Sequence, residues 1–317
     1  MRLLYFLEKI RMPVLNEFML LITQLGEETA FLVAALIVFW CVDKRRGYFL
    51  MAVGFLGTMI NQFLKLVFRI PRPWVLDQNF SILEQAREAA TGYSFPSGHT
   101  QSAVGIFGAL AVTARRKWAA VLCWTVAFLV GFSRMYIGVP TPYDVLVSAV
   151  IALVLMFALR KIARGADMKP VIIIMLLTAL GLMLYVHLYP FTADVDEHNL
   201  QSGMKNAYTM LGCITGVAMV YVAERKFVNF DTKAVWWAQI LKAVLGLGVV
   251  LLVKEGLRAP LELALPVYPA RAVRYFLIVV AAGLVWPMSF GWFARMGQKR
   301  MALPKNALEE SNELRNH

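Results

Sequence analysis

Three short stretches of the sequence place charged and polar side chains at the ends of long apolar segments. The first has a lysine and an arginine seven residues apart, the second reads Pro-Ser-Gly-His, and the third joins an arginine to an aspartate ten residues later. Charges at membrane depth are costly, so those retained there are candidates for function. The residues concerned are Lys65, Arg72, Ser97, Gly98, His99, Arg134 and Asp144.

These residue types suit the binding of a phosphate. An arginine guanidinium matches two oxygens of a tetrahedral oxyanion, and the lysine and two arginines supply three positive charges. Ser97 and Gly98 begin a predicted helix, where free backbone N–H groups and the helix dipole favour an anion. His99 follows directly, and a histidine beside a bound phosphate can donate a proton to a leaving alkoxide.

The composition indicates a membrane protein. Of the 317 residues, 59% are apolar and 16% charged, whereas soluble domains have about 45–50% and about 25%. The net charge of +12 does not predict nucleic-acid binding, because the basic residues cluster in short loops between apolar segments. Cys41, Cys123 and Cys213 lie apart in apolar runs, so the sequence predicts no disulfide, no metal site and no cofactor.

The apolar segments predict an all-α, polytopic transmembrane bundle of about nine spans, since a crossing helix needs about 20 mostly apolar residues. Glu27 and Glu28 interrupt the first span, and the third is short. We expect an interfacial segment at 1–19, a core at 20–190, additional transmembrane helices at 191–297 and a cytoplasmic tail at 298–317. The predicted spans are 20–42, 47–68, 99–114, 118–138, 143–160, 170–190, 204–223, 234–254 and 271–294.

The distribution of basic residues predicts the orientation. With the N-terminus outside, more than half of the 32 lysines and arginines fall in cytoplasmic loops and the tail. All three polar stretches then face the extracytoplasmic side. We therefore expect an integral protein of a bacterial plasma membrane with its site on the outer face.

The motifs K-x6-R-P, P-S-G-H and S-R-x9-D, in this order, resemble those of the type 2 phosphatidic acid phosphatase superfamily of integral-membrane lipid phosphatases. The resemblance implies that the first six predicted spans form a phosphatase-like core, whereas the three spans that follow carry no assignable motif. It also implies metal-independent hydrolysis, through a phosphohistidine, of a membrane lipid phosphate or pyrophosphate such as a polyprenyl pyrophosphate or phosphatidic acid. By this resemblance, phosphate is bound by Lys65, Arg72, Ser97, Gly98 and Arg134, His99 protonates the leaving group, and Asp144 orients the nucleophile.

The sequence departs from the family pattern at the nucleophile. The third motif of the family reads S-R-x5-H-x3-D, and Pro140 occupies the histidine position. Proline has no lone pair to attack phosphorus, so the covalent intermediate cannot form. The sequence leaves open a lipid phosphatase of low activity and a catalytically impaired lipid-phosphate-binding pseudophosphatase. His187 or His198 could substitute, although both also fit interfacial positions at helix ends.

Several other charged residues have alternative interpretations. Asp144 has lost its histidine partner, and we expect the backbone at the start of its own helix to replace it, ahead of Thr141 or Arg134. Glu27 and Glu28 fit an interfacial break better than catalytic carboxylates. A transporter would need discontinuous helices and polar residues at the midplane, where Lys242 is the main candidate. The outer charges of the last spans are expected to pair with one another.

Overall fold

The computed structural model describes residues 1–87, 90, 92–163, 167–191 and 195–296. Within these ranges the regular structure is helical, which confirms the predicted fold class. The predicted tail at 298–317 lies outside the described residues. The α-helices are α1 (Arg2–Lys9), α2 (Pro13–Gln24), α3 (Glu28–Cys41), α4 (Lys44–Phe68), α5 (Pro73–Leu76), α6 (Gly98–Thr113), α7 (Lys117–Tyr136), α8 (Pro142–Ala163), α9 (Lys169–Leu188), α10 (Glu197–Ala223), α11 (Trp236–Gly256), α12 (Arg258–Ala264), α13 (Val267–Val280) and α14 (Phe290–Arg295).

Seven helical segments of the described chain are long and apolar enough to cross a bilayer, and one bent helix pair makes a possible eighth. These account for eight of the nine predicted spans. The remaining one, α6, has 16 residues and is therefore about 24 Å long, shorter than the hydrocarbon core of about 30 Å. The chain is an integral membrane protein, and its Pro-Ser-Gly-His motif lies at the start of a helix that is shorter than a full span.

The first predicted span, 20–42, is not one helix. Helix α2 ends at Gln24 and α3 begins at Glu28, and the two are bent by 51°. At the break, a Cβ on Gly26 would lie 2.7 Å from Val130 and 2.9 Å from the carbonyl oxygen of His99. The break thus brings the backbone against α6 and α7. Two adjacent carboxylates in an apolar run favour such an interruption, because it lets them face a polar space.

Helix α4 lies at the centre of the bundle and packs against α3, α6, α8, α9 and α10. The chain reverses direction from one core helix to the next. As a result α4 and α7 end, and α3, α6, α8 and α10 begin, at the same end of the molecule. The three polar stretches of the sequence are therefore brought together by the order of the helices.

The C-terminal helices pack closely because small residues line their contacts. A Cβ on Gly212 of α10 would lie 2.1 Å from the carbonyl oxygen of Ala272 in α13, and one on Gly216 would lie 2.9 Å from Val279. This four-residue spacing of glycines is a common helix-packing device in membranes. The indole of Trp40 in α3 donates a hydrogen bond of 2.8 Å to the carbonyl of Ala282, which joins this group of helices to the core.

Lys242 is buried within α11 in a structural contact. Its ammonium donates to the carbonyl oxygen of Thr232 at 3.0 Å and lies 4.4 Å from the ring centre of Phe290. The transporter interpretation therefore loses its main polar residue, because a backbone carbonyl and an aromatic face already hold this charge.

Most of the charges near the ends of α11, α12 and α13 pair with one another, as predicted. Glu262 lies 3.5 Å from Arg258 and 3.7 Å from the buried Arg274, and Lys254 lies 3.4 Å from Glu255. Arg271 differs, because its Nε donates to the hydroxyl of Thr209 at 2.6 Å. The two exposed pairs, Lys254–Glu255 and Arg258–Glu262, contribute about 0–1 kcal/mol each.

The N-terminal segment is attached to the end of the bundle at which α4 and α7 end. Helix α1 buries Leu4 and Leu7 and leaves Leu3 and Phe6 exposed, and Arg11 donates from Nε to the carbonyl oxygen of Tyr136 at 3.0 Å. Its exposed apolar side chains fit the interfacial position predicted for residues 1–19, which stays a prediction.

Candidate active site

A polar pocket of about 340 Å³ opens where α4 and α7 end and α6 and α8 begin. Six of the seven predicted site residues line it. The seventh, Asp144, is buried and accepts a hydrogen bond from Ser94, which belongs to the pocket wall. The six are Lys65, Arg72, Ser97, Gly98, His99 and Arg134. The structure therefore gathers residues that are up to 69 positions apart in sequence.

The end of α4 supplies two of the cations. Lys65 lies in its last turn, and the chain then turns through Arg69, whose φ of 50° is left-handed and whose N–H donates to the carbonyl of Lys65. Arg72 follows, and its Nε donates to the carbonyl oxygen of Gly92 at 2.9 Å. Its guanidinium carbon lies 5.5 Å from the ring centre of Trp74. Backbone and aromatic contacts thus hold Arg72 in the pocket wall.

The start of α6 forms the opposite wall. Ser97 caps this helix: its Oγ accepts from the backbone N–H of Thr100 at 3.4 Å and pairs with the Thr100 hydroxyl at 2.9 Å. The amide of Asn61 in α4 donates to the carbonyl oxygen of Pro96 at 3.3 Å. The Ser97 hydroxyl is therefore engaged in capping, and the backbone N–H groups of the first turn are the anion-binding groups that this motif offers. His99 lies half-buried beside them.

Arg134, in the last turn of α7, is almost completely buried. Its side chain lines the pocket with 4% exposure, and one guanidinium nitrogen, Nη1, donates to Thr23 at 3.2 Å. Its Nε and both amide atoms of Gln101 are buried without a hydrogen-bond partner among the described residues. An unsatisfied buried polar group costs about 1–3 kcal/mol. A ligand with oxygen acceptors in the pocket would satisfy the Arg134 donor, whereas a snorkelling arginine would reach water instead.

The electrostatics of the pocket favour an anion. Lys65, Arg72 and Arg134 are close enough to repel one another, and all three also act on His99. Glu28 and Asp144 attract Lys65, and Glu27 attracts Arg134. A phosphate between the three cations would replace their mutual repulsion by attraction, which is strong where water is scarce.

The carboxylate of Asp144 accepts two hydrogen bonds. Its Oδ2 accepts from the backbone N–H of Thr141 at 2.7 Å and from the hydroxyl of Ser94 at 2.5 Å, and its own N–H donates to Thr141 Oγ1 at 3.3 Å. This reciprocal pairing is the capping-box arrangement with an aspartate at the third position. The prediction that the backbone at the start of α8 donates to the Asp144 carboxylate is confirmed. The Ser94 hydroxyl is a second donor that the sequence did not indicate.

Glu27 and Glu28 line the pocket, which the sequence analysis missed. The predicted break in the first span is correct, but its carboxylates face the site rather than the membrane surface alone. The available signal was the presence of two acids in an apolar run at the same end as the cations. Further polar wall residues without a motif are Thr58, Asn61, Gln62, Ser94, Gln101, Ser102, Ser202 and Asn206.

The two histidines considered as substitutes lie elsewhere. His187 is exposed on α9, with its ring nitrogens 2.9 Å from the Met183 carbonyl oxygen and 3.2 Å from the Tyr208 hydroxyl. His198 is exposed in the first turn of α10. Neither lines the pocket, so His99 is the one imidazole among its described lining residues.

Two models of one protein superfamily match this chain. Residues 46–167 match the model of the PAP2 superfamily, and residues 208–299 match the model described as PAP2 superfamily phosphatase, transmembrane extension. The first match contains all three motifs, and the second contains most of the C-terminal helices.

The match with this chain extends over most of the length of three related proteins. Undecaprenyl-diphosphatase BcrC of Bacillus subtilis is 33% identical over 147 residues, which are 45% of this chain and 72% of that protein. Phosphatidylglycerophosphatase B of the same organism is 29% identical over 173 residues, 50% of this chain and 79% of that protein. An undecaprenyl-diphosphatase of Sulfolobus acidocaldarius is 28% identical over 137 residues, 43% and 65% of the two chains. No solved structure is a significant match. The chain therefore belongs to the PAP2 superfamily.

Proposed function

We propose that this protein binds the phosphate group of a membrane lipid phosphate or pyrophosphate in the polar pocket and hydrolyses it. The observation that carries the proposal is the convergence of Lys65, Arg72 and Arg134 on one pocket, in which the Nε of Arg134 is buried without a hydrogen-bond partner among the described residues. Relatives named for the hydrolysis of undecaprenyl diphosphate and phosphatidylglycerophosphate support a lipid substrate.

The proposed site faces the extracytoplasmic side. The basic loops that follow α3, α6 and α8 lie at the end of the bundle opposite the pocket, and such loops favour the cytoplasm. The basic residues of the C-terminal tail favour the same orientation of the chain in the membrane.

Without a histidine at position 140, hydrolysis has to proceed by direct attack of water. In this proposal Lys65, Arg72 and Arg134 neutralise the phosphate oxygens, without a requirement for a metal. Glu28 accepts a proton from the water as its oxygen bonds to phosphorus. The bond from phosphorus to the leaving oxygen breaks, and His99 donates a proton to that oxygen. The products are inorganic phosphate and a lipid alcohol, or a lipid monophosphate when the substrate is a pyrophosphate.

A second candidate function is lipid-phosphate binding without hydrolysis. Pro140 favours it, because the position that supplies the nucleophile in the family has none here. Asp144, which would orient that nucleophile, is engaged by Ser94 and Thr141.

Phosphate release and lipid binding, measured on the same purified protein, separate the two candidates. The substrates are a polyprenyl pyrophosphate, phosphatidic acid and phosphatidylglycerophosphate. Slow phosphate release that falls markedly in Glu28→Gln supports hydrolysis by water. Binding without release, together with release by Pro140→His, supports the binding protein. Absence of both binding and release would refute the proposed function.

A further inference from the structure

A second cavity, of about 370 Å³ and mainly apolar, lies between the core and the C-terminal helices. Helices α3 and α4 form one side, and α10, α11 and α13 form the other. Aromatic, methionine and aliphatic side chains dominate its wall, among them Phe31, Phe55, Met210, Val250 and Ile278. We call it the lateral cavity.

The lateral cavity adjoins the phosphate pocket. Four residues, Glu28, Thr29, Thr58 and Asn206, line both spaces. All four are polar. Glu28 and Thr29 begin α3, whereas Asn206 lies more than two turns into α10 and Thr58 more than two turns before the end of α4. The cavity is therefore polar where it meets the phosphate site and apolar beyond it.

The lateral cavity runs along the helices rather than across them. On α3 its lining extends from Glu28 to Phe39, twelve residues that span about 16 Å of helix. This is about half of the hydrocarbon thickness of a bilayer. The cavity is therefore about as long as the hydrocarbon layer of one leaflet is deep, and it runs in the direction of the lipid chains there.

From these observations we infer that the lateral cavity binds the hydrocarbon chain of the lipid whose phosphate occupies the polar pocket. The inference rests on the proposed function, because it assigns the chain of the same ligand. Apolar side chains that line an empty space lack dispersion contacts on that side, and a flexible hydrocarbon chain in the cavity supplies them. Met51 and Met210 in the wall can adapt to its shape.

The chain site selects by shape rather than by hydrophobicity. A lipid chain leaves one apolar medium for another when it moves from the bilayer into the cavity, so the gain comes from packing. A bulky side chain in the cavity should therefore weaken binding of a long-chain ligand and leave a chainless phosphate unaffected.

Two neighbouring valines on α11 provide a matched pair of variants. Val250 lines the lateral cavity and Val249 does not, and both are partly buried. We expect Val250→Trp to raise the dissociation constant of a long-chain polyprenyl pyrophosphate at least about tenfold, with inorganic pyrophosphate bound as in the wild type. Val249→Trp should change neither constant. Thermal unfolding and pyrophosphate binding check that each variant is folded, and Val250→Phe serves if Val250→Trp is not.

The opposite results overturn the inference or the proposed function separately. Long-chain binding that is unchanged in Val250→Trp, or equally weakened in Val249→Trp, would refute the chain site while leaving the phosphate site standing. Failure of the wild type to bind any phosphate would refute the proposed function instead. In that case a photoreactive, uncharged long-chain polyprenol still tests the cavity: cross-links to wall residues of α3, α10 or α11 support it, and cross-links confined to exposed residues overturn it.

Discussion

Two walls of the proposed phosphate pocket differ in what they retain. The first, which we call the binding wall, consists of Lys65 and Arg72 at the end of α4, Arg134 at the end of α7 and His99 at the start of α6, and all four are in place. The second, the altered wall, is the connection between α7 and α8, where Pro140 stands at the position that the family resemblance assigns to a histidine. In this proposal, phosphate binding and covalent catalysis depend on different residues, so one can be lost while the other persists.

Asp144 shows why the altered wall remains ordered. Its carboxylate accepts hydrogen bonds from Ser94 and from the backbone of Thr141, and its main chain accepts from Ser97 N–H at 3.3 Å and Ser148 Oγ at 2.6 Å. These contacts join the start of α8 to the loop that precedes α6. A residue that loses its part in catalysis can therefore keep a structural one.

The largest expected effect comes from restoring the nucleophile. Pro140→His should raise phosphate release from a lipid pyrophosphate at least about 10³-fold, since loss of a nucleophile costs enzymes about 10⁶. Acid quenching should trap a phosphohistidine. Pro140→Ala, which removes the proline without adding a nucleophile, is the matched control and should show no increase. An inactive but folded Pro140→His protein would mean that the two walls differ by more than this residue.

The next effect separates the structural and catalytic uses of Asp144. In the Pro140→His background, Asp144→Asn should lower phosphate release at least about 10²-fold, because the new histidine loses its orienting carboxylate. In the wild-type background the same change should leave the rate nearly unaltered. The measurement is the ratio of rates in the two backgrounds. A large loss in the wild type would show that Asp144 already serves a working nucleophile.

A smaller effect is expected from the carboxylate that the break between α2 and α3 presents to the pocket. Glu28→Gln should lower the slow wild-type release about tenfold, and it should tighten pyrophosphate binding a few-fold by removing repulsion. Glu17→Gln on α2, outside the pocket wall, is the control. A parallel loss of binding and release would indicate damage to the pocket rather than removal of a base.

The smallest effect concerns the hydrogen bond between Ser94 and Asp144. Ser94→Ala should lower the free energy of unfolding by about 1.5–3 kcal/mol, the range for a hydrogen bond to a charged group. Phosphate binding should stay close to that of the wild type. Thermal or chemical unfolding in detergent measures the change, and an unaltered midpoint would show that Asp144 is held by its own helix alone.

The convergence of the three cations could be predicted from the sequence because charges in apolar surroundings are conspicuous. Lys65, Arg72 and Arg134 stand out at span ends, and alternation of helix direction suffices to bring them together. The partnership of Ser94 with Asp144 could not be predicted in this way, because it joins residues fifty positions apart through a loop without periodicity.

Two further features depend on packing. Two adjacent acids predicted an interruption in the first span, but neither the 51° bend nor the direction in which Glu28 faces follows from local sequence. The lateral cavity likewise arises from how α10, α11 and α13 meet α3 and α4. No motif marks it, because apolar side chains that line a cavity resemble those that fill a core.

The central claim is that the pocket binds phosphate although its nucleophile is missing, and equilibrium binding of inorganic pyrophosphate tests it most directly. The wild type and Pro140→Ala should bind with similar dissociation constants. Arg134→Ala should bind about 10- to 100-fold more weakly, consistent with the loss of about 1.5–3 kcal/mol for a hydrogen bond to a charged group. Arg87→Ala, which removes an exposed arginine paired with Glu84, should behave as the wild type. Equal affinities for the wild type and Arg134→Ala, or no binding by either, would contradict the account.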